Sequence, residues 1–257
     1  MDLELKGKVA IITGGSQGIG RATALRLAAE GASVVIAARG RELLDEVATE
    51  IRSAGGKVAA VQADVSRAED CARLVAEALK AYGRLDILVN NAGTSATGEF
   101  ESVTDDIWQA DFDLKLFAAV RLARLAIPHM KQQGGGRIVN ITNIGAKQPR
   151  ANSMPTTVTR AAGLAFTKAL SKEFAPQQIL VNTICIGLVR AGQHEKKAAK
   201  AGIELEHFYA DRGKEVPLGR VGRAEEVANA IAFLVSGAAS YITGSSINLD
   251  GGASAVL

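Results

Sequence analysis

The segment Val9 to Gly20 reads VAIITGGSQGIG. Its first five residues are apolar or β-branched and suit a short buried strand, while Arg21 to Glu30 carries a helical apolar pattern through Ala22, Leu25 and Ala29. Gly14, Gly18 and Gly20 lie between the two. A chain that turns from a strand directly into a helix needs residues tolerant of positive φ, and backbone without Cβ atoms admits a pyrophosphate closely. The phosphates then meet the helix N-terminus, where unpaired N–H groups and the helix dipole attract anions. Glycine turns also serve tight packing, so this segment needs support from elsewhere in the chain.

That support comes in order along the sequence. Asp64-Val65 follows an apolar strand at Val58 to Ala63, and NNAG at 90 to 93 follows Leu85 to Val89. GRIVNIT stands at 136 to 142, ILVNTI at 179 to 184, and YITGSSINLDGG at 241 to 252. With the three-then-one glycine spacing, these segments make the chain resemble the short-chain dehydrogenase/reductase family along nearly its whole length. The resemblance implies cofactor contacts at Gly14, Ser16, Gln17, Gly18, Ile19, Gly20, Asp64, Val65, Asn91, Ala92, Gly93, Gly187 and Val189.

Strands are expected near Val9–Thr13, Ser33–Ala38, Val58–Ala63, Ile87–Asn90, Arg137–Thr142, Ile179–Ile184 and Ser246–Leu249, with helices between them. Each is short and apolar on both faces, as in a parallel sheet covered on either side. Right-handed crossovers then give an α/β doubly wound (Rossmann) fold of about seven strands, with ligands at the strands' carboxyl ends. The even alternation predicts a single domain over 1–257. The polar stretch 191–217 interrupts it, and the resemblance makes that stretch a lid over the substrate.

Composition narrows the function classes. At 257 residues and 47% hydrophobic, the chain can bury a sizeable aliphatic core. The net charge of +3 is spread out, and Lys196, Lys197 and Lys200 are flanked by Glu195 and Glu204. That is a solvated face and not a nucleic-acid surface. Cys71 and Cys185 lack a CxxC spacing, which fits free packed thiols in a reducing compartment. His129, His194 and His207 do not form a metal-ligand spacing. The N-terminal MDLELKGK has no apolar signal region, and no run of about 18 apolar residues exists. These features predict a cytoplasmic protein with no metal, membrane or nucleic-acid partner.

Dinucleotide folds that use NAD place an acid about twenty residues beyond the glycines to hold the ribose 2′-hydroxyl. Here the second strand ends VVIAARGRE, with Ala38 at that place and Arg39 after it. A guanidinium there can pair bidentately with a 2′-phosphate, so NADP(H) is favoured over NAD(H).

The resemblance also implies a catalytic asparagine, serine, tyrosine and lysine. Matching GRIVNITN and AAGLAFTKAL to the family's segments puts Asn143 at the serine position, Thr156 at the tyrosine and Arg160 at the lysine. FDLKLF puts Asp113 at the asparagine. All four differ, and Ile186 replaces the proline of the family's PGLV. In ordinary members the lysine charge lowers the phenol pKa so that tyrosine delivers a proton as hydride arrives. Threonine cannot do so. Arg160, one turn after Thr156, supplies a fixed charge and hydrogen bonds to a nicotinamide ribose, and Asn143 can donate to a substrate oxygen.

Three functions are compatible with this pattern. One is an NADP-dependent oxidoreductase acting on a carbonyl or alcohol through a rebuilt site, its proton coming from water, Asp113, or a lid residue such as His194, His207 or Tyr209. Another is an NADP-binding regulatory or scaffolding subunit without hydride chemistry. The third is a non-redox lyase or dehalogenase; halohydrin dehalogenases also carry arginine for the lysine, but they keep serine and tyrosine and lose the glycine cradle. The resemblance further implies a homotetramer or dimer formed through the helices holding Asp113 and Thr156, with Phe112, Leu116, Phe166 and Leu170 as candidate surface residues.

Overall fold

The computed structural model describes residues 2–192, 199 and 202–256. Seven strands form one parallel sheet: β1 (Val9–Thr13), β2 (Ser33–Ala38), β3 (Lys57–Gln62), β4 (Ile87–Asn90), β6 (Gly136–Asn143), β8 (Ile179–Ile186) and β9 (Ser246–Leu249), in the order β3-β2-β1-β4-β6-β8-β9. A second, two-residue pair joins β5 (Thr97–Gly98) to β7 (Met154–Pro155) in antiparallel fashion. The helices are α1 (Gly18–Ala29), α2 (Arg41–Ser53), α3 (Ala68–Tyr82), α4 (Asp105–Phe112), α5 (Ala118–Gln132), α6 (Thr156–Phe174), α7 (Leu205–Gly213) and α8 (Ala224–Leu234). A π-helical turn, Asp113–Phe117, links α4 to α5.

The two-residue alternation of each strand sends side chains to two cores. Ala10, Ile12, Val34, Ile36, Val89 and Ile141 pack with α1, α2 and α8 on one face. Val9, Ile11, Val35, Leu88, Ile138 and Val181 pack with α3, α5 and the flank of α6 on the other. Burial on both faces is what made these strands read as continuous apolar runs. β6 and β8 extend past the expected ends because Asn143 pairs with Ile186 in the ladder, where backbone groups bond irrespective of side-chain polarity.

Across the middle of the sheet runs a buried polar chain. Asn90 Nδ2 donates to Asn140 Oδ1 at 2.8 Å, Asn140 Nδ2 to Thr167 Oγ1 at 2.9 Å, and Thr167 meets Thr183 at 2.7 Å. This seats α6 on β6 and β8 in one register, since a slipped helix would strand buried polar atoms. Phe166 and Leu170 pack partly into the second core instead of standing free.

Of the expected lid, residues 193–198, 200 and 201, His194 among them, lie outside the described residues. Its remainder includes α7, where Arg190 bonds both carboxylate oxygens of Glu206 at 2.7 Å and lies 4.6 Å from the Tyr209 ring centroid. His207 is exposed beside Glu204. Among the described residues no helix is long and apolar enough to cross a membrane.

The segment after β8 is fixed by α8. Val189 bridges to Gly222, and the Glu226 carboxylate gathers Arg220 Nη1 at 2.9 Å, Arg220 Nη2 at 2.6 Å and the Arg223 amide at 2.7 Å. These bonds, Arg220 foremost, pull the Glu226 pKa from the ordinary 4.5 to about 2. A carboxyl whose folded pKa is depressed stabilises the fold above its unfolded pKa and stops doing so as pH falls through the folded value. Glu226→Gln is therefore expected to cost about 1 kcal/mol at neutral pH, the usual size of a capping loss. In chemical denaturation at several pH values, that gap should hold above about 4.5 and close towards about 2; a gap independent of pH would contradict this role.

Candidate active site

The nucleotide half of the site is a weld between two loops at the carboxyl ends of β1 and β4. Thr13 Oγ1 donates to Val89 O at 3.3 Å and accepts the Asn91 and Ala92 amides, each at 3.0 Å. Asn91 Nδ2 returns to Thr13 O at 2.8 Å and Gly14 O at 3.4 Å. A Cβ on Gly20 would lie 2.6 Å from Asn91 Nδ2 and 2.7 Å from the Gly14 carbonyl carbon, so α1 can start this close only with glycine there. Gly18 differs: its φ is +51° and a Cβ would meet open space. Gly14 and Gly20 thus serve close packing, and Gly18 leaves the mouth of the turn clear for phosphate. Asn91 and Ala92, expected as cofactor contacts, spend their amides inside the protein and act as struts.

Other expected residues divide in the same way. Asp64 accepts the Ser66 amide at 3.0 Å and hydroxyl at 2.7 Å, while Val65 is buried and its carbonyl accepts the Cys71 thiol. Gly187 crosses β9 closely, since a Cβ would fall 2.6 Å from that of Asp250, and Val189 is buried. Ser16, Gln17 and Gly18 line a cavity of about 350 Å³ with Arg190 and Gly192, whereas Ile19 is buried behind them.

The adenine end opens into a cavity of about 630 Å³ whose lining includes Arg39, Arg41, Asp64, Asp70 and Arg73. Arg41 is paired with Asp45 and Arg73 with Asp70, both at 2.6 Å. Arg39 is exposed and its guanidinium has no hydrogen bond or ion pair among the described residues. Of these three cations, Arg39 is the one with its donors uncommitted.

At the nicotinamide end, Asn143 closes β6, Thr156 opens α6 behind Pro155, and Arg160 lies one turn on. Arg160 Nη1 donates to Ile141 O at 2.6 Å, and the guanidinium packs so tightly on Gly93 that any side chain there would collide with it. Burial lowers the Arg160 pKa to about 10, which leaves it charged at neutral pH. Asn143 Oδ1 and Arg160 Nε are buried with no hydrogen-bond partner among the described residues. Asn90 Oδ1, Arg137 Nε and Asn248 Oδ1 are likewise unpartnered, but of the five only Arg160 Nε belongs to a side chain packed on the NNAG loop, with Asn143 at the neighbouring strand end, where a ligand can complete the bonding. The residues present fit a dinucleotide.

Asp113 is not part of this group. Its carboxylate accepts Gln109 Nε2 at 2.8 Å and Arg121 Nη2 at 2.9 Å, on the far side of the π-helical turn. The residue that reaches the site is Lys115, whose Nζ donates to Thr156 Oγ1 at 2.7 Å and to Asp111 Oδ1. Thr159 Oγ1 completes the cluster on Asp111 Oδ2 at 2.6 Å. The reason is helical phase: residues four apart share a face, and Asp113, two from each, is carried round to another. Asp111 and Lys115 fall on the same buried stripe as Ala118, Leu122 and Ala126. Two opposite charges on an otherwise apolar stripe were the available signal.

Thr156 is heavily engaged. Besides Lys115 its oxygen accepts the Ala96 amide at 3.0 Å, and its hydroxyl donates to Ala96 O at 2.7 Å, continuing the β5–β7 pairing. The Lys115 side chain is wholly buried, and desolvation, which outweighs the Asp111 bond and is reinforced by Arg160, brings its pKa down to about 8.

Known proteins share this sequence and shape. A family described as enoyl-(acyl carrier protein) reductase matches residues 14–254. An uncharacterised oxidoreductase of Methylorubrum extorquens is 39% identical over 97% of this chain and 98% of its own length. A 3-oxoacyl-[acyl-carrier-protein] reductase of Synechocystis is 36% identical over 96% of this chain and 97% of its own. The crystal structure of L-sorbose reductase from Gluconobacter frateurii, complexed with NADPH and L-sorbose, superposes with a TM-score of 0.95 at 36% identity, each chain covered completely. With the glycine turn, the NNAG strut and the seven-stranded parallel sheet, these matches place the chain in the short-chain dehydrogenase/reductase family of oxidoreductases.

Proposed function

We propose that this protein is an NADP(H)-dependent oxidoreductase acting on a small carbonyl compound or the corresponding alcohol, through a site that lacks the family's tyrosine. The observation that carries the reading is the pair of buried, partnerless polar atoms, Arg160 Nε and Asn143 Oδ1, at the end of an otherwise complete dinucleotide cradle. Bound NADPH would supply hydride. Arg160 would hold the nicotinamide ribose, and Asn143 would donate from Nδ2 to a carbonyl oxygen, its Oδ1 being free to accept from a hydroxyl of the ligand. Lys115 and Arg160 set two cations against the single carboxylate of Asp111. That surplus positive charge in a water-poor site favours the negative oxygen formed as hydride reaches a carbonyl carbon.

The uncommitted Arg39 guanidinium supports NADP(H) over NAD(H), and the NADPH complex of the L-sorbose reductase is in keeping with it. Residues 191–217 act as the substrate lid of a single nucleotide-binding domain. Exposed Ile107, Phe117 and Val158 on the α4-to-α6 surface suit contact with a second copy, as a dimer or tetramer needs.

Calorimetric titration is expected to show NADPH binding more tightly than NADH, and Arg39→Asp should reverse the order; equal affinities in the unmodified protein would refute the assignment. Arg160→Ala should weaken NADPH binding by about tenfold, the effect of losing about 1.4 kcal/mol of contact. Asn143→Ala should leave binding intact and lower turnover of a carbonyl panel. Tight binding with no NADPH consumed by any ketone or aldehyde would instead assign a cofactor-binding role without hydride chemistry.

A further inference from the structure

Reduction of a carbonyl consumes a hydride and a proton, and the threonine at the tyrosine position cannot itself lose a proton at neutral pH. Behind it, however, stands an ammonium group already in hydrogen-bond contact with its hydroxyl. Lys115 Nζ is 2.7 Å from Thr156 Oγ1 on one side and bonded to Asp111 on the other. We propose that Lys115 is the proton reservoir of the site, passing its proton through the Thr156 hydroxyl to the substrate oxygen. This rests on the carbonyl-reductase reading above and names the residue that fills the tyrosine's office.

The step balances. Hydride adds to the carbonyl carbon and the π electrons move to oxygen. That oxygen takes the hydrogen of Thr156 Oγ1, which turns from Ala96 O towards the substrate as the Ala96 amide gives up its bond to the same hydroxyl, while Thr156 Oγ1 takes a proton from Lys115. The products are an alcohol, an intact threonine and a neutral Lys115 amine, which is reprotonated from solvent after the product leaves. Oxidation of an alcohol runs the same transfers backwards.

The surroundings suit such an exchange. Asp111 on α4, Thr156, Thr159 and Arg160 on α6, and the Ala96 backbone before β5 face the amine. Asp111 holds the ammonium in place, and Thr159 pins the other Asp111 oxygen. Burial and Arg160 make the ammonium readier to give up its proton than an exposed lysine, with a pKa of about 8. A proton donor works best when its pKa lies near the working pH. As a positioning residue acting through Thr156, Lys115 should leave a signature in pH that a merely structural cation would not.

The test uses the full chain. With NADP⁺ bound, ¹³C-lysine NMR should show Lys115 titrating near pH 8; a Lys115 that stays charged to the ordinary lysine value of 10.5 overturns the proposal whatever the turnover. With NADPH and a panel of ketones, aldehydes and phenanthrenequinone, kcat/KM of the unmodified protein should fall as pH rises through that midpoint. Asp111→Asn with Lys115→Gln removes both charges together and keeps hydrogen-bonding groups. It should bind NADPH as before, lose about 10²-fold in kcat/KM and lose the alkaline limb. Thr156→Val, which leaves the ion pair in place, should lower the rate similarly. Retention of the limb in the double variant would overturn the role of Lys115 and leave the reductase reading standing. No turnover of any carbonyl by the NADPH-bound unmodified protein would overturn that reading and this proposal with it.

Discussion

Burying the ammonium of Lys115 is the constraint around which the redox end of this molecule is arranged. An isolated charge taken out of water costs several kcal/mol, and a structure tolerates it only with a partner and hydrogen bonds in good geometry. Asp111 supplies the partner from one turn earlier, and Thr156 supplies an acceptor from a different helix. Because Thr156 also bonds both backbone groups of Ala96, the same amine is tied to the β5–β7 pair. Thr156 is thereby a junction of three elements.

The nucleotide end is governed by a different and simpler requirement, close approach. Thr13 and Asn91 draw the glycine turn and the NNAG loop together until no Cβ fits at Gly20. This geometry does not depend on what stands at Asn143, Thr156 or Arg160. The two ends of the site are therefore held by separate sets of contacts. Arg160 joins the two halves: it hangs from β6 through Ile141 and rests on Gly93 of the NNAG loop.

The main sheet was legible in the sequence because its inner strands are buried on both faces, and apolar runs bounded by glycine or polar turns mark such strands clearly. β1, β2, β4 and β9 begin and end where the residue pattern puts them. The β5–β7 pair was not legible, since strands of two residues carry no periodicity. Asp113 was misplaced for a related reason. Matching residues by kind favours an acid where an amide is expected, but helical phase decides which side chain enters the site, and phase selects Lys115. Asn143, Thr156 and Arg160 could be placed from sequence at a strand end and the start of a helix, and the structure has them there. What the Thr156 hydroxyl and the Arg160 guanidinium bond to could not be read from the chain, because Ala96, Lys115 and Ile141 are brought to them only by folding.

Whether this chain transfers hydride from NADPH without a tyrosine is decided by a single-turnover experiment. The unmodified protein, loaded with NADPH carrying deuterium on the transferring face of the nicotinamide, is mixed with a carbonyl panel and the products are examined by mass spectrometry and chiral separation. Hydride transfer at this site should leave one deuterium on the former carbonyl carbon of a single product enantiomer, with an equal amount of NADP⁺ formed. Deuterium remaining wholly on the bound cofactor, with every carbonyl returned unreduced, would contradict it.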